Sequence, residues 1–272
     1  GREPQRIAFI QCVGSRDERI GQAYCSTTCC MNAIKQAVQV KEKHPEAEVY
    51  VFYTDIRASG KGFEELYTRC REAGVVFIRG RPSEIQCLPD DSLAFDVYDL
   101  LTQQLLRVRV DMVVLSAGMA PAKGLMELSR LLHVPRSEDG FLLEAHPKLR
   151  PADTHTSGIF LAGTCQGPKS IHDSVALAKA AAASAAALLS KGTIRTESMV
   201  AYVDQDLCTG CGLCEESCPF GAPTVKEGKS SVLEALCRGC GVCAASCPEK
   251  AMSMRHFTDL QVLAQVTAAF GG

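Results

Sequence analysis

The chain has 272 residues, 46% of them hydrophobic, and a formal net charge of −2. That length predicts two domains with room for a sizeable core, and the near-neutral balance carries no global footprint of a nucleic-acid partner. With no signal-peptide pattern, fifteen cysteines do not read as a disulfide framework; thiolates kept for metal need a reducing compartment, so a cytoplasmic location is expected.

Gly1-Arg2-Glu3-Pro4 carries no initiator methionine and leads into a strand at 6–13, so the chain reads as a fragment or a processed piece. Residues 28–40 have helical spacing, and 48–56 are rich in Val, Tyr and Phe, as strands are. The turn Ser59-Gly60-Lys61-Gly62 precedes a helix over 63–73 and a strand over 75–78. Strands alternating with helices predict a parallel, doubly wound α/β sheet. Residues 94–100 and 105–110 read as a hairpin or meander, and 111–115 as a buried strand ending in Ser116-Ala117-Gly118. Residues 119–157 read as irregular. Residues 158–163 read as another buried strand, followed by a loop and an alanine-rich helix over 170–189 that Ser190-Lys191-Gly192 closes. The apolar stretch 175–189 is mostly alanine and is interrupted by Lys179, too short and too weakly apolar to span a bilayer. Residues 193–203 read as a linker, 204–255 as a cysteine-rich module, and 259–270 as a helix that docks on a partner or on the body of the chain.

The module carries one pattern twice: Cys208-x2-Cys211-x2-Cys214-x3-Cys218-Pro219 and Cys237-x2-Cys240-x2-Cys243-x3-Cys247-Pro248. Three cysteines at three-residue steps on a tight loop reach three corners of a [4Fe–4S] cubane, and the fourth iron takes the cysteine before the proline of the other run. The expected sets are therefore Cys208, Cys211, Cys214 and Cys247 for one cluster, and Cys237, Cys240, Cys243 and Cys218 for the other. Gly210, Gly212, Gly239 and Gly241 let the backbone close on the core and direct N–H groups at sulfur. Zinc sites use pairs of CxxC rather than triplets with a distal Cys-Pro, so the pattern points away from zinc.

Where a dinucleotide fold places G-x-G-x-x-G after its first strand, this chain has Cys12, and then Cys25, Cys29 and Cys30 at a helix start. The helix dipole and unpaired N–H groups favour thiolates there. The spacing fits a third cluster and equally a set of redox-active or merely buried thiols. Further on, Gly163, Thr164, Gln166, Gly167, Pro168, Ile171, His172 and Ser174 lie on a Gly-rich turn and a helix N-terminus. Such an end favours an anionic ligand, for example the N1–C2=O edge of a reduced flavin; plain packing of a turn is the other reading.

Together these motifs resemble the A subunit family of heterodisulfide reductase. The resemblance rests on Phe9-Ile10-Gln11-Cys12-Val13-Gly14-Ser15-Arg16, Tyr24-Cys25-Ser26 with Cys29-Cys30, Asp55-Ile56-Arg57 with Gly60-Lys61-Gly62, Gly163 to Ser174, and the twin cysteine runs. It covers the chain and only the C-terminal part of that family's subunit. It implies a thioredoxin-reductase-like flavoprotein part followed by a ferredoxin-like α+β domain. The expected domains are 1–110 (nucleotide-domain-like, with the extra cysteine site), 111–195 (C-terminal half of an FAD-binding domain) and 196–272 (a bacterial-type ferredoxin domain). It also implies a third [4Fe–4S] cluster on Cys12, Cys25, Cys29 and Cys30. FAD is implied near Ser116, Ala117, Gly118 and the 163–174 turn, shared with a preceding half or another chain, and Lys35 would approach the flavin N5; a solvated helix lysine is the plain reading of Lys35. Cys70 and Cys87 read as core thiols. Cys165 lies on the same turn.

The function these features imply is electron transfer in a heterodisulfide-reductase-like complex, with other subunits and a ferredoxin or a hydrogenase or dehydrogenase donor as partners, and electron bifurcation as its finer form. A flavin-free relay or docking subunit is the alternative. A third reading is direct disulfide reduction by Cys29 and Cys30, which requires them to stay unligated.

Overall fold

The computed structural model describes residues 3–193 and 198–270. These divide between two compact units. The first comprises the chain up to Pro121 with Gly167–Ser174; the second comprises Ala122–Gln166 and the chain from Val175 onward.

In the first unit, strand β1 (Arg6–Val13) is buried at its six central positions. A strand of that kind needs cover on both faces. The chain continues through α1 (Cys29–Lys43), β2 (Glu48–Tyr53), α2 (Phe63–Glu72) and β3 (Val76–Arg79). Strands β4 (Gln86–Cys87), β5 (Leu93–Asp99) and β6 (Gln104–Val110) form a separate antiparallel sheet, and β7 (Met112–Ala117) returns to the first sheet. That sheet is parallel throughout, in the order β3-β2-β1-β7. Period-two alternation sorts its side chains. Ile7, Phe9, Val49 and Val51 meet Ala33, Ile34 and Ala37 of α1 and Cys70 of α2. Ala8, Ile10, Phe52 and Ile78 turn the other way and meet Phe95, Val97 and Val110 of the antiparallel strands. Phe52 and Phe95 pack edge to face with ring centres 5.1 Å apart.

One carboxylate closes the sheet at its N-terminal end. Asp111 accepts the backbone N–H groups of Gln5 (3.0 Å) and Arg6 (2.8 Å) and the Arg6 guanidinium (2.9 Å). The Arg6 hydrogen bond holds the Asp111 carboxyl down to about 2.

Several expectations need correction here. The strand expected to be buried at 111–115 is an edge strand, with a neighbour on one side only, and Met112 and Leu115 are 42% and 53% exposed. Because it pairs with β1, the domain boundary expected at 110/111 falls inside the first unit. Cys70 is a core thiol, pushed up to about 11 by burial, but Cys87 is exposed on the two-residue strand β4.

In the second unit, the stretch expected to be irregular contains helix α3 (Leu125–Leu132). Leu125 packs with Val134, Leu142 and Leu161. Residues 158–163 are not a strand: the apolar run finds no partner strand, makes one isolated bridge (Asp153 with Phe160), and buries Leu161. Helix α4 (Ile171–Leu189), whose residues to Ser174 belong to the first unit, buries only Ala181. Of the expected linker and the boundary at 195/196, residues 194–197 lie outside the described residues, and Ala201–Val203 is strand β8. Then follow α5 (Leu213–Glu216), the hairpin β9 (Pro223–Lys226) with β10 (Lys229–Val232), α6 (Val242–Ser246), β11 (Met252–Met254) paired antiparallel with β8, and α7 (Asp259–Phe270). No residue of α7 is buried. Among the described residues, no helix is long and apolar enough to cross a membrane.

Phe95 joins the two layers of the first unit. Phe95→Ala is expected to cost roughly 3–5 kcal/mol, read as a lower denaturant midpoint in far-UV circular dichroism. A loss below about 1 kcal/mol would show that the layers are held together elsewhere.

Candidate metal centres

The twin runs fold into two matching loops. In each, the second glycine (Gly212, Gly241) takes a positive φ of 84° or 77° and opens a short helix, α5 or α6, that carries the third cysteine. The first glycine makes a close backbone approach. A Cβ on Gly210 would strike the Gly228 carbonyl, and one on Gly239 would lie 2.5 Å from the Met199 carbonyl oxygen. The neighbouring strands then supply N–H donors to sulfur: Ser230 donates to Cys208 Sγ (3.4 Å) and Ala201 to Cys237 Sγ (3.3 Å).

Two cavities result. One is lined by Cys208, Cys211, Cys214 and Cys247. The other is lined by Cys218, Cys237, Cys240 and Cys243. Each cavity therefore takes three cysteines from one run and the fourth from the other. Among the described residues no three His, Cys, Asp or Glu side chains converge closely enough to hold a single ion. Four cysteines around a cavity suit a multi-atom cluster better than one tetrahedral ion. Ser217 and Ser246, which precede the two Cys-Pro pairs, hydrogen-bond each other at 3.1 Å and join the lobes. Backbone N–H groups of Ser230 and Gly210 pull the Cys208 thiol below its ordinary range. Burial, followed by the nearby Cys218 and Cys237 sulfurs, pushes Cys243 up to about 11.

The other cysteine group lies wholly in the first unit. Cys12, Cys29 and Cys30 are 5%, 7% and 2% exposed, and Cys25 is half-buried. Register between β1 and β7 shifts between Ile10 and Val13, and Cys12 sits in that bulge at φ 59°. A bulge of this kind re-aims a side chain at a strand end. Cys29 and Cys30 open α1. The side-chain interaction of the two adjacent thiols lifts Cys29 above the thiol range and lowers Cys30 to about 7. Burial, then the charge of Cys29, raises Cys12, while Arg16 and Arg81 pull it down. Cys25 Sγ accepts the Thr27 N–H at 3.3 Å. Three buried polar atoms beside Cys12 have no partner among the described residues: Gln11 Oε1, Ser15 Oγ and Arg16 Nη1. Of these, Ser15 Oγ and Arg16 Nη1 can donate while Gln11 Oε1 can only accept; four cysteines with two spare donors beside them fit an anionic iron–sulfur cluster.

The remaining predicted residues are less unified. Ser116 Oγ accepts Gln11 Nε2 (2.9 Å), Ala117 is exposed, and Gly118 lies against Gly14, Ser15 and Ser26, where a Cβ would come within 2.8–3.0 Å of their atoms. Ser116 and Gly118 thus brace the Cys12 loop. Gly163 and Thr164 fall on a short turn in the second unit with Cys165, and Gln166 Nε2 donates to the Pro151 carbonyl (2.9 Å). Gly167, Pro168, Ile171, His172 and Ser174 belong to the first unit, where Thr27 Oγ1 approaches the Pro168 carbonyl at 3.5 Å. Ile171 and His172 are exposed. At the start of α4, where an anion cradle is expected, Ser170 Oγ accepts the Asp173 N–H (3.0 Å) and donates to the Asp173 carboxylate (2.7 Å). A carboxylate in the first turn offsets the helix dipole for an incoming anion. Lys35 lies on the exposed side of α1. Spacing gave no signal for Arg16, Asp55 and Arg81, because their nearness to the cysteines arises from packing.

A 4Fe-4S binding domain model matches residues 201–224. The chain is 52% identical over 270 residues to the A subunit of the H2:CoB-CoM heterodisulfide,ferredoxin reductase of Methanothermobacter thermautotrophicus, covering 99% of this chain and 41% of that protein. It is 47% identical to the iron-sulfur A subunit of the CoB–CoM heterodisulfide reductase of Methanocaldococcus jannaschii, over 97% of this chain and 41% of that one. The chain thus spans about two fifths of the length of these curated relatives. The thioredoxin reductase of Lactococcus lactis is a loose structural likeness, at 18% identity and a TM-score of 0.45 over 70% of this chain and 53% of that chain.

The paired glycines give a differential test. Gly212→Ala meets no atom within 4 Å and carries only its positive φ, about 1–2 kcal/mol. Gly210→Ala adds the collision with Gly228, about 1–3 kcal/mol more. Thermal unfolding of the two variants is expected to rank Gly210→Ala as less stable; equal losses would refute the close approach.

Proposed function

The chain belongs to the A subunit family of heterodisulfide reductase, and from that premise we propose that it is an electron-transfer subunit of a heterodisulfide-reductase-like complex, passing electrons between FAD and [4Fe–4S] clusters. The observation that carries this reading is the pair of cavities, each walled by three cysteines of one run and one of the other. Cys208, Cys211, Cys214 and Cys247 would hold one cluster, and Cys218, Cys237, Cys240 and Cys243 the second. Cys12, Cys25, Cys29 and Cys30 would hold a third.

Clusters so held supply one-electron steps. The protein's part is to set their potentials through N–H donors to sulfur and through exposure to solvent. Cys211 and Cys240 are exposed, so each lobe presents one cysteine at the surface, where another protein of the complex can exchange electrons. The relatives' names tie them to CoB–CoM heterodisulfide and ferredoxin; these, with a hydrogenase or dehydrogenase donor, are the partners of this reading, and electron bifurcation is its finer form.

The second reading is a flavin-free relay. It is favoured by the Asp173 carboxylate at the start of α4, which leaves this turn a poor match for an anionic flavin edge.

Cofactor content decides between them. About twelve irons per chain, three cubanes of four, are expected; about eight would remove the Cys12 site. FAD in the purified, iron-loaded chain supports the first reading, and its absence supports the relay. Cys237→Ser is expected to lower the iron content by about four and to leave the other clusters' spectra in place.

A further inference from the structure

Arg16 is held in an unusual way. Its backbone is left-handed at φ 53°, which disfavours any residue with a side chain. Three contacts enforce it. Arg16 N–H donates to the Tyr24 carbonyl (2.9 Å), and Arg81 Nη2 donates to the carbonyls of both Ser15 (3.0 Å) and Arg16 (2.9 Å). The side chain is 21% exposed, and Nη2 donates to Asp55 Oδ2 at 2.7 Å. Asp55 is fixed in turn by Arg79 Nη2 (3.3 Å), and the backbone carbonyl of Asp55 lies 3.7 Å from Cys30 Sγ. The ion pair thus ties the loop after Cys12 to the chain segment that touches Cys30.

With one edge of the guanidinium pinned, the other is directed inward. Nη1 is shielded from solvent and has no partner among the described residues. Leaving a charged donor buried and unpaired is unfavourable, so the site suits an anionic acceptor. Ser15 Oγ, one residue away, is a second buried donor without a partner among the described residues. Four cysteines lie in this group, and a cluster on four thiolates is an anion whose sulfur atoms accept hydrogen bonds. Asp55 keeps its negative charge turned toward Arg16 and Arg79, away from that role.

Resting on the reading that Cys12, Cys25, Cys29 and Cys30 hold a cluster, we propose that Arg16 is its counter-ion: Nη1 donates to a thiolate or sulfide sulfur, Asp55 positions the fork, and the positive charge stabilises the reduced cluster. Arg16 therefore raises the reduction potential of this cluster. A guanidinium suits the role because its planar fork can bind Asp55 with one edge and sulfur with the other; a lysine offers one point charge for both.

The test is an EPR-monitored redox titration of the whole iron-loaded chain, as parent, Arg16→Gln and Arg16→Lys. In Arg16→Gln the reduced-to-oxidised ratio of one cluster at a fixed applied potential is expected to fall at least tenfold, about 59 mV for a one-electron couple. The other two clusters act as internal standards and stay in place. Arg16→Lys keeps the charge and loses the fork, so a smaller shift in the same direction, around threefold, is expected. An unchanged potential in Arg16→Gln overturns the proposal. If that variant does not fold or load iron, an unchanged potential in Arg16→Lys overturns it. A parent chain with about eight irons and two cluster signals overturns the cluster reading itself, and the proposal with it, a result distinct from a third signal that ignores Arg16.

Discussion

Four thiolates in one small space repel one another and lose water, and much of this chain is arranged around that constraint. Cys243, buried beside Cys218 and Cys237, is pushed up to about 11. Cys12, buried beside Cys29, is raised as well. Holding such groups as anions requires donors directed at sulfur and backbone that can come close enough to provide them.

The two units meet the constraint by different means. The twin module uses backbone. Glycines at positive φ let the loops turn tightly, the close approach of Gly210 to Gly228 brings a strand alongside, and the N–H groups of Ser230 and Ala201 reach Cys208 and Cys237. Because each cysteine loop meets a strand of its own module in the same way, the solution repeats with the sequence. The Cys12 group uses charge and fold. A bulge re-aims Cys12, the start of α1 presents Cys29 and Cys30, and Arg16 and Arg81 lower the cost of negative charge. Its parts come from the first strand, the loop after it and the end of β2, so it depends on the parallel sheet holding register. Gly118, at the end of β7, admits no side chain against Gly14, Ser15 and Ser26; the sheet edge therefore helps shape the site.

The elements legible in the sequence were those with strong period and local punctuation. Strand 6–13, the hairpin strands and the terminal helix 259–270 lie where their patterns placed them. Failures had tertiary causes. The apolar run 158–163 had strand composition but no neighbouring strand to complete a ladder. Strand β7 reads as buried because it is apolar, yet position in a sheet, and not composition, decides which strand lies at the edge. Cys87, which fits no cluster set, reads as a core thiol and stands exposed on a two-residue strand. Helix α3 was hidden in a proline-bearing stretch, although Gly124 and His133 at its ends both take left-handed φ.

The sequence by itself determined the cysteine frame. Three-residue steps, a distal Cys-Pro and glycines between them are local relations, and local spacing survives whatever the rest of the chain does. Only the tertiary structure decided what surrounds that frame. Arg16 meets Asp55 across 39 residues, and Ser217 meets Ser246 across 29. The carboxylate of Asp173 fills a helix start that the glycine turn alone left open. Such contacts depend on which faces pack together, and a one-dimensional pattern records the period of a face without recording its neighbour.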